Sequence, residues 1–285
     1  MRVALAQVCS TQDPAANLAL VRDAVREGAG RGSDLIVLPE ATMASFDRRS
    51  SEVAEPADGP WATAVVNAAA EHGVSVIVGM FTQAPDGRVR NTLLATGPSG
   101  TVTYDKLHLY DAYGFRESDH IAPGDRPVLF DVGGVRVGLA VCYDVRFPDL
   151  FTHYARAGAD VMVVSASWGP GPRKVDQWRT LAVARALDST SYVVACGQAS
   201  FESVGRSAAG SAPTGVGHSM VVAPQGEIMK EAIAGPDLLV VDVDLAQVAE
   251  ARRVLPVLAN GRFASSLGRE AEPLLRSGLP RAATR

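Results

Sequence analysis

Three residues of reactive type each stand just beyond an apolar run. Glu40 follows Leu35-Ile36-Val37-Leu38-Pro39, Lys106 follows the segment ending Tyr104-Asp105, and Cys142 follows Gly138-Leu139-Ala140-Val141. Strand ends are where layered α/β folds gather their sites. A carboxylate, an ammonium and a thiol meeting there supply a base, a cation and a nucleophile. A free thiol is mostly protonated at neutral pH, so it needs a base at its side to attack. Taken singly, each residue also has an ordinary reading. Glu40 and Lys106 are of types that usually face solvent, and Cys142 is of a type that is usually inert core. Spacing alone does not bring the three together.

A rival arrangement is a cysteine–histidine pair with His108 or His153 as base. His108 is two residues from Lys106, and on a strand the two share one face. There it can reach the site as a base or serve as a structural hydrogen-bonding partner. His153 falls on an expected helix and is read as a surface residue. Cys9 and Cys196 fall within apolar runs and are expected in the core. The glycines of Gly28-Ala29-Gly30-Arg31-Gly32 follow a helical segment, whereas a phosphate-binding loop follows a strand.

The elements that must position these groups show in the apolar pattern. Val3 to Val8, Leu35 to Leu38, Val74 to Met80, Val161 to Val164, Tyr192 to Cys196, Met220 to Ala223 and Leu238 to Val243 read as strands. Asp13-Pro14 caps a helix carrying Leu18, Val21 and Val25. Helices are also expected from Pro60, over Leu150 to Ala157, from Val175 to near Asp188, and from Asp244 to about Arg253. Two hairpins are expected, one around Gly97-Pro98-Ser99-Gly100 and one around Gly133-Gly134. Strands alternate with helices, which predicts a layered α/β fold. The helix–strand–strand rhythm occurs in both halves and hints at internal duplication.

The chain has 285 residues, 47% of them hydrophobic and 20% charged, with a formal net charge of −4. That balance excludes wholesale disorder and argues against a nucleic-acid partner. The three cysteines lack a Cys-x-x-Cys spacing, and the five histidines lack His-x-x-x-His. Neither a disulfide framework nor a zinc site is therefore expected. No apolar run reaches the length of a membrane helix, and the amino terminus lacks a signal-peptide core. A cytoplasmic protein without a membrane partner is expected. With no compositional break, residues 1–269 are read as one domain, and 270–285 as an arm or a disordered tail.

Cys142-Tyr143-Asp144-Val145-Arg146-Phe147-Pro148 resembles the nucleophile motif of the nitrilase, or carbon–nitrogen hydrolase, superfamily. Leu38-Pro39-Glu40 resembles its general-base motif, and Tyr104-Asp105-Lys106-Leu107-His108-Leu109 its lysine motif. Arg185-Ala186-Leu187-Asp188 and Gly217-His218-Ser219-Met220 resemble later segments in the same order. The resemblance implies a four-layer αββα sandwich that pairs through outer helices into a homodimer or higher homo-oligomer. It implies no metal and no organic cofactor. It gives Cys142 the role of nucleophile, Glu40 that of base, and Lys106 with the backbone N–H of Tyr143 that of oxyanion donors. Glu117 takes the place of a second glutamate that orients Lys106 or the substrate amide.

The form Cys-Tyr-Asp-x-Arg-Phe most resembles the branch of ω-amidases and deaminated glutathione amidases. It implies a small-molecule substrate, the terminal amide of a small carboxylic acid, cleaved to acid and ammonia through a thioester. Arg146 then holds a substrate carboxylate, or alternatively pairs with Asp144 or Asp149. Trp168 lines the pocket or packs as an ordinary aromatic. The chain departs from the branch at Trp168-Gly169-Pro170-Gly171-Pro172, where the bulkier indole reshapes the pocket. Nitrile or N-carbamoyl hydrolysis uses the same residues. A non-enzymatic binding protein on this fold would be expected to lack one of Glu40, Lys106 and Cys142, and all three are present.

Overall fold

The computed structural model describes residues 1–207 and 212–262. The expected tail of 270–285, and the end of the expected 1–269 domain, lie outside the described residues. The chain begins with β1 (Arg2–Gln7), α1 (Pro14–Gly30), β2 (Leu35–Val37), α2 (Pro60–His72), β3 (Ser75–Gln83), β4 (Val89–Gly97) and β5 (Gly100–Asp105). A two-residue ladder, β6 (Asp111–Ala112) with β7 (Phe115–Arg116), precedes β8 (Leu129–Val132), β9 (Val135–Val141), α3 (Pro148–Arg156) and β10 (Val161–Ala166). Then follow α4 (Lys174–Ser189), β11 (Tyr192–Gly197), β12 (Met220–Val222), β13 (Ile228–Glu231), β14 (Asp237–Asp242), α5 (Ala246–Val254) and α6 (Val257–Asn260).

The strands form two six-stranded sheets, in the orders β14-β1-β2-β3-β4-β5 and β13-β12-β11-β10-β9-β8. Each contains three adjacent parallel strands, β1-β2-β3 in one and β9-β10-β11 in the other. Each then continues through two antiparallel strands on one side and one on the other. The two halves thus repeat one pattern, in keeping with the rhythm of the sequence.

Alternation of side chains across each strand produces the layers. Val3, Leu5, Val37 and Ile77 of the first sheet meet Val137, Leu139, Val163 and Val194 of the second in the central core. The opposite face of the first sheet, with Ala4, Ile36, Val76 and Val78, packs on Val21, Val25, Trp61 and Val65 of α1 and α2. The opposite face of the second sheet packs on Phe151 and Tyr154 of α3 and on Trp178 and Ala182 of α4. The result is the αββα sandwich. Among the described residues no helix is long and apolar enough to cross a membrane.

Local signals act as expected at α1, where Asp13 is the N-cap and its carboxylate accepts from the Ala15 N–H at 2.9 Å. Helix α1 does not stop at its first glycine, however. It runs through Gly30, and the absence of a side chain at Gly28 lets Ile36 pack close, since a Cβ there would stand 2.7 Å from Ile36 Cγ1. The ladder β6–β7 and strand β13 escape the apolar pattern. The first has only two residues per strand, and β13 has no residue classed as buried.

Candidate active site

Each reactive residue lies where its strand ends. Beyond β2, the loop bearing Glu40 folds back against β3. The Gly79 N–H donates to Pro39 O at 3.1 Å, and the Met43 N–H donates to Gly79 O at 3.0 Å. Only glycine allows so close an approach. A Cβ on Gly79 would stand 2.6 Å from Pro39 O and 2.7 Å from Glu40 Cα. Lys106 follows β5 directly, its N–H donating to Asn91 O at 2.9 Å. Cys142 opens a 3₁₀ turn, Cys142–Arg146, at the end of β9. Its φ of 45° is left-handed, a conformation a non-glycine residue holds only where surrounding contacts impose it.

The structure brings Glu40, Lys106, Glu117 and Cys142 together. Glu40 is 1%, Lys106 3% and Glu117 7% exposed. Lys106 Nζ lies 3.3 Å from Glu40 Oε1 and 3.0 and 2.9 Å from the two oxygens of Glu117. Glu117 is fixed in turn by the Tyr110 N–H, which donates to Oε2 at 2.6 Å. Burial alone favours the neutral amine, but the charges of Glu40 and Glu117 outweigh it and hold Lys106 above its ordinary pKa. Burial also pushes the Cys142 thiol well up, the Glu40 charge adds to this, and Lys106 opposes it. The resting sulfur is therefore a neutral thiol beside a carboxylate that can take its proton. The ammonium stays charged and can stabilise an oxyanion.

The second sheet reaches across to hold Glu40. The Ser167 N–H, just past β10, donates to Glu40 Oε2 at 2.7 Å, and Gln198 Nε2 donates to Glu40 O at 2.9 Å. Ser165 Oγ donates to Leu38 O at 2.7 Å. Asn91 of β4 donates to Glu40 Oε1 at 2.7 Å. None of these four stood out in the sequence. The one signal was at Asn91, an amide inside an otherwise buried strand.

His108 is not on the Lys106 strand face, because β5 ends at Asp105. Its Nδ1 lies 2.7 Å from Asp144 Oδ1, and its ring stacks on Phe147 at 3.6 Å. It braces the turn that opens at Cys142, as expected of a structural partner. Asp144 is fully buried and also accepts from Tyr104 Oη at 2.7 Å and from the Val141 N–H at 2.9 Å. Burial, and then Asp144, raise the Tyr104 pKa far above its usual value, so the phenol is a neutral donor. Cys196 is buried core, but Cys9 lies beyond β1 and is half-buried, with Arg206 Nη1 3.6 Å from its sulfur. His153 is half-buried on α3.

Arg146 pairs with neither Asp144 nor Asp149. Asp144 is already engaged, and Arg146 Nη2 donates to Gln177 at 2.9 Å while its guanidinium lies 5.0 Å from the Trp168 ring centre. Trp168 is buried, donates its indole N–H to Lys174 O at 3.0 Å and packs on Trp178. It directly follows Ser167, whose carbonyl lies 4.0 Å from the Cys142 sulfur. The Tyr143 ring meets Tyr110 at 5.0 Å and Phe147 at 5.3 Å, both edge to face.

The carbon-nitrogen hydrolase family model matches residues 2–253. A hydrolase of Mycobacterium tuberculosis is 54% identical over 267 residues, covering 91% of this chain and 95% of its own. A deaminated glutathione amidase of Escherichia coli O157:H7 is 33% identical, covering 93% of this chain and 98% of its own. Nit3 of Saccharomyces cerevisiae, a member of branch 10 of the nitrilase superfamily, superposes with a TM-score of 0.79 at 27% identity. That match covers 92% of this chain and 97% of the yeast one. Fold, strand-end chemistry and relatives converge: the chain belongs to the carbon–nitrogen hydrolase family of the nitrilase superfamily, and is a hydrolase acting on carbon–nitrogen bonds.

Proposed function

We propose that the protein hydrolyses the terminal amide of a small carboxylic acid, through a thioester on Cys142. The observation that carries this reading is the buried ammonium of Lys106, set between Glu40 and Glu117 at 3.3 and 2.9 Å and close to a thiol held neutral. Glu40 takes the thiol proton as the sulfur lone pair attacks the carbonyl carbon. The oxyanion so formed faces Lys106 and the backbone N–H of Tyr143. The carbon–nitrogen bond breaks, Glu40 returns the proton to the nitrogen, and ammonia leaves. A water then gives a proton to Glu40 as its oxygen attacks the thioester carbon; the carbon–sulfur bond breaks, Glu40 passes that proton to the sulfur, and the acid leaves. Glu117 keeps Lys106 aimed at the reacting carbonyl.

The amidase name of the Escherichia coli relative supports the amide as substrate. Arg146, free of carboxylate partners among the described residues, is the group we assign to the substrate carboxylate. On the same reading the protein works as a homo-oligomer paired through outer helices, in the cytoplasm and without nucleic acid or membrane.

Ammonia release from a panel of ω-amides tests this reading, with Cys142→Ala as the control and mass spectrometry of quenched enzyme to find an acyl group on Cys142. Release that vanishes in the variant, with a Cys142 adduct in the wild type, supports the reading. Full turnover by Cys142→Ala, or no release from any member of the panel, overturns it.

A further inference from the structure

Asn91 is the third residue of β4 and has no exposed surface, although it is one of the least suited residue types for a buried strand. Its Nδ2 donates to Glu40 Oε1 at 2.7 Å, and its backbone carbonyl accepts the Lys106 N–H at 2.9 Å. Its own Oδ1 is buried and has no partner among the described residues. The orientation of the amide is fixed by chemistry: an ionised carboxylate only accepts, so the NH₂ end must face it. The fold therefore leaves this carbonyl without a donor from the described residues and places the N–H end on Glu40. An apolar side chain at this position would fill the strand without that cost.

The placement has a consequence for the proton. A carboxylate oxygen has two in-plane lone pairs. Oε1 of Glu40 accepts from both Asn91 at 2.7 Å and Lys106 at 3.3 Å, so both of its lone pairs are taken. Among the described residues Oε2 accepts only from the Ser167 N–H at 2.7 Å, which leaves one lone pair.

We propose that Asn91 is a positioning residue for the general base: by occupying Oε1 together with Lys106, it makes Oε2 the oxygen that carries the proton in both halves of the reaction. This rests on the reading of Glu40 as base and Cys142 as nucleophile. The proton leaves Sγ for Oε2 as the sulfur–carbon bond forms. It leaves Oε2 for the amide nitrogen as the carbon–nitrogen bond breaks, so that ammonia departs neutral. The charged and titratable groups around Glu40 are Lys106, Cys142 and, through Lys106, Glu117. Asn91 and Ser167 are its neutral donors.

The test is kcat and KM against pH for Asn91→Ala and Asn91→Asp, on an amide whose hydrolysis is lost in Cys142→Ala, with thermal melts of each variant. For Asn91→Ala we expect kcat to fall about 100-fold with KM within about threefold, as for a misplaced catalytic group. Losing a donor to the ionised base moves the acidic limb of kcat/KM up by about half a pH unit or more. Asn91→Asp keeps the shape but sets a second carboxylate against Glu40, and moves that limb further the same way. A folded variant with an unmoved acidic limb, or a loss confined to KM, overturns the proposal. So does failure of both variants to fold, which would make Asn91 a structural residue. If every amide that the protein hydrolyses is still hydrolysed by Cys142→Ala, the underlying reading falls as well; a Cys142-dependent activity indifferent to Asn91 removes only the proposal.

Discussion

Tyr104 Oη donates to the carboxylate of Asp144 at 2.7 Å and so fastens the turn that carries Cys142 to the last strand of the opposite sheet. The same carboxylate accepts the His108 N–H at 2.9 Å and the Val141 N–H at 2.9 Å, and meets the His108 ring. One buried side chain thus joins the loop after Lys106, strand β9 and the turn that opens at Cys142.

Removing one donor from this junction differs from removing its centre. Tyr104→Phe leaves Asp144 three partners and is expected to cost about 1–3 kcal/mol. Asp144→Ala strands several buried donors at once and is expected to cost more than Tyr104→Phe, with loss of activity. Urea denaturation of both variants gives the comparison, and equal costs would show that Asp144 is not the hub.

The thiol of Cys142 is held neutral by burial and by the charge of Glu40, against the pull of Lys106. Glu40→Gln removes the charge and keeps the shape. Hydrolysis is expected to fall by about 100- to 10,000-fold, the usual worth of a positioned base. The pH midpoint for iodoacetamide alkylation of Cys142 is expected to drop, because the strongest charge opposing Lys106 at the sulfur is then gone, while burial and Glu117 still act against it. A midpoint that rises or stays put contradicts this electrostatic account.

Lys106 has the reverse dependence. Its pKa in the fold lies above the ordinary 10.5, because Glu40 and Glu117 outweigh burial. A raised pKa contributes stability that is fully present below the unfolded value and is lost only as pH climbs through the folded one. The wild type should therefore show no slope from Lys106 between about pH 6 and 9. Lys106→Met leaves two buried carboxylates without a cation, at a cost of about 3–5 kcal/mol. Its stability is expected to recover as pH falls and the carboxylates take up protons. Chemical denaturation across pH measures both slopes.

Arg146 tests the substrate side. Arg146→Ala is expected to raise KM for amides bearing a carboxylate by about 10- to 100-fold, the worth of a hydrogen bond to a charged group. Neutral amides of the same length should be little affected. Equal losses for both substrate types would place Arg146 in the frame of the Cys142–Arg146 turn and not in recognition.

How far the site was legible depended on whether its parts announce themselves locally. Glu40, Lys106 and Cys142 each end an apolar run, and the motifs around them occur in family order, so a linear reading could isolate them. Asn91, Ser167 and Gln198 lie 51, 127 and 158 residues from Glu40, and only strand pairing and sheet docking bring them to it. Gly79 looks like any strand glycine until the Glu40 loop is seen to lie on it. Asp144 stood within a recognised motif, yet a salt bridge with Arg146 was the role its neighbours suggested. At the level of the fold, the layers and most strands follow from apolar periodicity, while β6, β7 and β13 bury too little to leave a trace.

Glu40 comes from one sheet, and the N–H that holds its second oxygen comes from the other. Neither half of the chain can assemble this carboxylate environment alone, so turnover must appear only after the two sheets have closed on each other. Recovery of catalysis during refolding therefore serves as a clock for that closure, and should lag behind helix formation, which draws on neighbours in the chain.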